Sequence, residues 1–481
     1  MQDLLSLSLK SRYFLELDKK LIILFLVFDL ILISLLILVP SFYLFASIGF
    51  FILILSLLTN PNTGLYLLPI VLVNPVAIVP GTQYNIDEFL IFLLLLLFLV
   101  SIFLKDQESE VYLPKAYRWF LVLFLSGTSL SLLNVRYLEP ALLHLIKLVL
   151  AFGFIFIYAY NQIKNQEMLK NILNMIILSG IIAAFYGIYQ YYSGSVSITS
   201  GKRVFGLVGG NFGGFVGLAI VSLFSGIMFN RDYLKRIFFV ILLIPLIWAL
   251  LLSQTRAWIL GTIVSIFAVL LFALYKKNQL KKLIVILLLI SLIGIFFSGF
   301  MKSAFWDIYS SLFLRKVYPS TKISTLNLEK FPDFSVLARK SIWNFGLDLF
   351  LKYPVTGIGI ANMRISNAFN PSLTYPRPYA GYADSHYINI LAETGILGAI
   401  AWIFLIASIL SYSKKIFRMA FTPDWYYISS SIVGSLILLL VGGIFWVITS
   451  GLIDSAIFAL MISLLFIANK ILIKELMVIK S

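Results

Sequence analysis

Cysteine is missing altogether, and histidine is nearly so, with His144 and His386 the two copies in the chain. The first absence excludes disulfides, thiolate metal sites and a cysteine nucleophile. The second excludes a histidine-rich metal centre, and no HExxH segment occurs. Charge is scarce as well: 12% of residues are charged against 61% hydrophobic. A soluble domain of ordinary composition carries about 25% charged residues, so this chain has too little polar surface to coat a globule. No Walker A loop is present, which removes nucleotide hydrolysis by that route. Neither a solenoid repeat nor a low-complexity tract interrupts the chain.

What the chain does have is apolar blocks of about 17 to 25 residues, the length that crosses the hydrocarbon core as a helix. Backbone groups find no water in lipid, so such blocks span as helices or closed barrels. Barrel strands alternate apolar and polar residues, and these runs do not. The expected fold class is an all-α polytopic membrane protein with about fourteen transmembrane helices. The spans fall near residues 21–40, 42–59, 64–80, 88–104, 116–135, 138–160, 170–192, 209–229, 235–253, 255–275, 282–301, 388–411, 425–447 and 452–473. The third carries Pro69, Asn74 and Pro75, a pattern that also suits a re-entrant segment. Met1 to Lys20 is polar and mixed in charge, and the run after it lacks a small-residue cleavage site, so it reads as a retained first span.

The net charge of +16 is explained by topology rather than by nucleic acid. With the N-terminus inside, inside segments hold Lys10, Arg12, Lys19, Lys20, Lys105, Lys115, Arg118, Lys164, Lys170, Arg231, Lys235 and Arg236. Further along they hold Lys276, Lys277, Lys281, Lys282, Lys414, Lys415, Arg418, Lys470, Lys474 and Lys480. The short outside loops and span ends carry Arg136, Lys202, Arg203 and Arg256. This asymmetry follows the positive-inside rule and puts both termini in the cytoplasm. The expected organisation is a cytoplasmic segment at 1–20, spans 1 to 11 over 21–301, an outside loop at 302–387, spans 12 to 14 over 388–473 and a cytoplasmic tail at 474–481.

The long connection at 302–387 exchanges leucine runs for Lys, Arg, Asp, Ser, Pro and Tyr. Its aromatic residues, among them Trp306, Trp343, Tyr375, Tyr379, Tyr382 and Tyr387, argue against disorder. Asp333 is placed to cap a helix running to about Lys352. Phe334, Leu337, Ile342, Phe345 and Leu349 fall near helical spacing, which predicts an amphipathic helix lying on the membrane surface. Pro354 and the Gly357–Ile358–Gly359 turn end it, and Asp384 is placed to cap the next helix.

Polar residues in unusual positions collect on the outside. Arg256 follows Ser253–Gln254–Thr255 between two spans with almost no loop. Snorkelling to the headgroups would explain a lysine there equally well; a planar, always-charged fork suits anion recognition. Arg203, in Gly201–Lys202–Arg203–Val204–Phe205–Gly206, is a second candidate phosphate ligand. The glycines that follow it, Gly209, Gly210, Gly213, Gly214 and Gly217, are better explained by close helix packing. Gly357–Ile358–Gly359 is not a dinucleotide fingerprint, because no strand precedes it and the third glycine is missing. His144 sits mid-span one turn from Lys147, where a packing role is as good an account as a functional one. His386 stands where the long loop meets a span, two helical turns before Glu393. A neutral imidazole near pH 7 is suited to take a proton from a hydroxyl.

The segment from His386 to Gly398, with Glu393 and Gly395 inside it, resembles the signature of the O-antigen ligase and polymerase family. Arg339 with Trp343, then Pro354 and Gly357–Ile358–Gly359, also matches the family's pattern, as do Ser253 with Arg256 and Arg203 with Gly206 and Asn211. The likeness covers about residues 200 to 400, and Tyr387 departs from the Asn common after the histidine. The resemblance implies a membrane glycosyltransferase of the GT-C type in a bacterial inner membrane, its active site facing the periplasm. Such enzymes move a glycan from undecaprenyl diphosphate to a hydroxyl on lipid A core, another glycan or a protein, without nucleotide sugar, cofactor or metal. It assigns His386 as catalytic base and Arg203, Arg256 and Arg339 to the diphosphate. Glu393, Tyr382 and Asp384 are supporting residues. The reading from the residues agrees, since a lipid diphosphate leaving group needs cations at the interface. A transporter or flippase would account for the spans but not for a long outside loop edged with arginines and a histidine.

Overall fold

The computed structural model describes residues 64–66, 68, 69, 72, 113–193, 204, 211–275, 334–363, 385–449 and 451–480. The chain divides into two compact units, Met1–Gly64 and Leu65–Ser481, and the helices from Lys115 onward all belong to the second. Spans expected near 21–40, 42–59, 88–104 and 282–301, and most of 64–80, lie outside the described residues, as do Arg203, Tyr382 and Asp384.

Among the described residues the structure is helical, with no strand. Nine helices among the described residues are long and apolar enough to cross a membrane, and they coincide with nine of the expected spans. They are α1 (Lys115–Ser131), α2 (Leu138–Gln162), α3 (Gln166–Tyr192), α4 (Phe212–Phe229) and α5 (Tyr233–Leu252). After α6 (Arg256–Tyr275) comes the less apolar helix α7 (Phe334–Lys352), and then α8 (His386–Met419), α9 (Pro423–Gly442) and α10 (Leu452–Lys480). This is a multi-pass membrane protein.

The tight connections at the basic end are built by side-chain caps. Asn165 accepts from Met168 N at 2.9 Å, Asp232 from Leu234 N at 3.0 Å, and Thr422 from Trp425 N at 3.3 Å. Each satisfies an orphan donor of a helix start. Pro423 follows Thr422 at the first helical position, where its missing N–H costs nothing. Helices joined so closely must reverse direction, so the links after α1, α5 and α9 gather at the opposite end.

At the centre stands α4, buried along its whole length. Its glycines are there for contact, as their spacing predicts. A Cβ on Gly213 would stand 3.1 Å from the Trp258 side chain, and one on Gly214 3.0 Å from its ring. Small residues let backbones approach, and here the approach makes a slot for an indole.

A second core surrounds Trp402 of α8. Phe120, Phe124 and Phe152 each meet its ring edge-on with centroids 6.1 Å apart, and Phe458 stacks on it at 5.5 Å. Phe152 belongs to a π-helical stretch, Val149–Ile155, within α2. Its carbonyl accepts the Tyr117 hydroxyl at 2.7 Å, one way such a widened turn is satisfied.

Candidate active site

The site is organised by a break in α8. Gly395 has φ 63° and ψ −157°, which no other residue type adopts without strain, so α8 is a short arm, His386–Thr394, followed by the long span. The break frees backbone groups that a continuous helix would use. Ile396 N donates to Pro354 O at 2.8 Å instead of to Ala392 O. Ala392 O takes Ile358 N at 2.9 Å, and Glu393 O takes Gly359 N at 3.0 Å. The Gly357–Ile358–Gly359 turn is therefore laced to the arm backbone to backbone. Gly357 (φ 68°) lies so close that a Cβ would stand 2.6 Å from Thr394 N.

Glu393 finishes this joint. Its carboxylate is buried and accepts from Met363 N at 3.2 Å and from the Asn389 amide at 2.9 Å. Its hydrogen-bond partners therefore lie on the turn and on Asn389, one helical turn back, rather than on His386. The carboxylate positions the arm; two turns of sequence spacing put it on a shared face without putting it in reach of the imidazole.

Helix α7 covers the same joint. Ile342 packs with Ile358, Met363 and Ala392, and Phe345, Leu349, Tyr353 and Ile388 complete the cluster. The helix starts and stops as its sequence predicts. Three residues of its apolar stripe, Ile342, Phe345 and Leu349, pack on α8 and the turn, where the broken arm offers an apolar partner.

The loop after α1 docks on the turn through two asparagines. Asn362 accepts from Arg136 N at 3.1 Å and Tyr137 N at 3.0 Å, and Asn134 donates to Gly357 O at 3.0 Å. This brings exposed Arg136 to the site, a cation that sequence reasoning counts for topology and gives no role.

His386 is the first residue of the arm. Its backbone N–H donates to Gly443 O at 2.8 Å and Trp446 O at 3.1 Å, and the Tyr387 hydroxyl donates to Leu440 O at 2.8 Å. The arm thus hangs on the turn that follows α9. Tyr387, where the family pattern has Asn, is one of those anchors. The imidazole is 0% exposed and lies 4.1 Å from the Trp402 ring. Neither ring nitrogen has a hydrogen-bond partner among the described residues. The break at Gly395 folds the arm back so that its first side chain faces the span's own Trp402. A buried polar group without a partner costs free energy and calls for an explanation, catalysis among the possibilities.

Arg339 of α7 reaches the same turn, its guanidinium 5.9 Å from the Phe445 ring centre and its Nε buried without a partner among the described residues. Arg256 begins α6, after a reversal in which Gln254 takes φ 49°. Ser253, Gln254 and Thr255 are all buried. Ser253 Oγ bonds Leu250 O at 2.6 Å and accepts from Thr255 N at 3.3 Å, which sets the turn. A helix N-terminus next to a guanidinium is a pairing that favours an anion. Val204 N bonds Leu252 O at 3.3 Å, which pins the residue after Arg203 to the start of this reversal. Trp446 connects the two halves: its carbonyl holds His386, and its ring lines a small cavity with Trp258, Asn211 and Asp454. Asn211 donates to Asp454 there. His386 and Arg339 thus meet at the turn after α9, while the helix that Arg256 begins reaches the same turn through Trp258; Arg136, Asn362, Asn389 and Asp454 are neighbours that sequence reasoning missed. Signals for the additions were faint, since asparagines and aspartates at loop edges are common.

The fold and this site define a class: a multi-pass helical membrane protein with a polar centre packed into one end of its bundle. Residues 241–403 match the family model described as O-antigen ligase. The match takes in Arg256, Arg339, His386 and Glu393, so this stretch of the chain is similar to the O-antigen ligase family. It covers roughly a third of the chain. Comparison with curated proteins gives no match.

Proposed function

We propose that the protein is an O-antigen ligase-like glycosyltransferase of the bacterial inner membrane. It moves a glycan from undecaprenyl diphosphate to an acceptor hydroxyl, lipid A core in our reading, on the periplasmic face. The observation that most supports this reading is that His386 and Arg339 meet the same Gly443–Trp446 turn, whose Trp446 shares a small cavity with Trp258 of the helix that Arg256 begins. His386 takes the acceptor's proton, the acceptor oxygen bonds the anomeric carbon, and that carbon's bond to the diphosphate breaks. Arg256, Arg339 and Arg203 compensate the charge that appears on the leaving diphosphate.

The test is reconstitution of purified protein with one lipid-linked donor and either lipid A core or a second donor. Glycan on lipid A core supports a ligase. Elongated donor makes the protein a polymerase using the same chemistry. No product with either, alongside solute accumulation in sealed vesicles, would falsify the transferase reading.

Orientation is tested separately in this cysteine-free chain. Leu133 is 77% exposed at the site end and Tyr233 69% exposed at the basic end. An impermeant thiol reagent added to spheroplasts is expected to label Leu133→Cys, and to label Tyr233→Cys after permeabilisation only. The reverse pattern turns the site to the cytoplasm.

Arg256→Lys keeps the charge and loses the bidentate fork. Turnover is expected to fall about tenfold or more, equivalent to at least about 1.4 kcal/mol of lost interaction. Unchanged kinetics at normal expression would reduce Arg256 to a membrane anchor.

A further inference from the structure

A cavity lies at the other end of the bundle, between the starts of α3, α5 and α9 and the end of α4. It measures about 690 Å³. Its rim is charged and its wall is apolar. Lys170 is held 3.0 Å from Asp424, an ion pair that ties α3 to α9. Lys235 stands across from them with its side chain 67% exposed. Its nearest carboxylate, Asp232, is 4.0 Å away and already caps α5, so the pairing at that surface is weak. Phe238 and Ile181 supply the wall, and Phe238 is 57% exposed, which opens the cleft sideways at a face that meets lipid. Tyr427, 8% exposed, lines the cavity as well.

We propose that this cleft seats one anionic glycerophospholipid, with its phosphate at Lys235 and Lys170 and an acyl chain along Phe238 and Ile181. Two lysines against one carboxylate leave the lining cationic, so a phosphate is attracted. The neighbouring Arg231 and Arg236 reinforce that field. An apolar wall continuous with the cation distinguishes a lipid from a free phosphate. The cleft lies at the ends of four candidate spans, the position in which basic pockets between transmembrane helices recognise anionic headgroups. The site stands apart from the transferase chemistry and depends on nothing in that reading except the membrane itself.

The full chain, purified in detergent, is offered phosphatidylglycerol, phosphatidylcholine with the same acyl chains, or inorganic phosphate. Retained lipid is counted by native mass spectrometry and melting is followed in parallel. Wild type is expected to retain phosphatidylglycerol in preference to phosphatidylcholine. Lys235→Gln should weaken that retention about tenfold, whereas Lys235→Arg, which keeps the cation, should retain it. Ile181→Trp leaves both lysines in place, fills the wall and should also lose the lipid. Equal retention of the two lipids, or a Lys235→Gln protein that binds like wild type, overturns the site. A melting shift from inorganic phosphate that survives in Ile181→Trp overturns the lipid as its occupant. Lipid-free melting close to wild type establishes that each variant is folded.

Discussion

Replacing His386 with Ala is expected to lower turnover by about 10²–10⁴-fold, the range a general base contributes. Donor binding should persist, since none of the arginines assigned to the diphosphate, Arg203, Arg256 and Arg339, belongs to the arm His386–Thr394. The buried ring also packs 4.1 Å from Trp402, so its removal leaves space in a tight aromatic core. A packing role and a proton-transfer role must therefore be separated. His386→Phe restores the packing without a ring nitrogen. If the imidazole is the base, the Ala and Phe variants are equally inactive while the Phe variant melts nearer to wild type. If the ring only packs, the Phe variant recovers most of the activity, and the assignment fails. Donor retention measured on both variants guards against loss through misfolding.

The parts of the fold set by composition could be read directly. Each described span follows from an apolar run bounded by charge, because lipid forces backbone groups to pair within the segment. α7 and its glycine-rich stop were also readable, since apolar spacing and turn residues are local properties. The break at Gly395 was not. A glycine within an apolar helical pattern looks the same whether the helix passes through it or ends there, and the residues on both sides of it favour helix. What separates the cases is a partner for the freed backbone groups, and that partner, Pro354 to Gly359, lies more than a helix length away in sequence. The burial of His386 was hidden for the same reason: it depends on the arm folding back onto Trp402. Asn362 and Asn134 escaped notice because their bonds join the loop after α1 to residues far downstream. Arg256, Arg339 and His386 were singled out instead by residue type, since isolated arginines and a lone histidine at the ends of apolar runs have few structural reasons to be there.

Gly395→Ala should cost about 1–3 kcal/mol from backbone strain alone, because φ 63° with ψ −157° lies in a region open essentially to glycine. Steric conflict adds to this, as a Cβ would stand 2.8 Å from Gly357 N and against the Val355 backbone. Backbone on one side and a laced turn on the other leave nothing flexible to yield. The substituted chain can relieve the strain by continuing α8 as a regular helix, and that would return Ala392 O to Ile396 N and break both bonds to the turn. The arm would then swing away from the Gly443–Trp446 turn and carry His386 off Trp402. Gly395→Ala is therefore expected to lose both thermal stability and transfer activity. Gly153→Ala is the control: a Cβ there meets nothing closer than a Val149 methyl at 3.9 Å, and its φ is not positive. It should melt at or slightly above the wild-type temperature, since Ala restricts the unfolded chain more than Gly does. Should Gly395→Ala match this control in melting and in turnover, α8 has no required break at that position, and the joint built on Glu393 would not be what holds His386 in place.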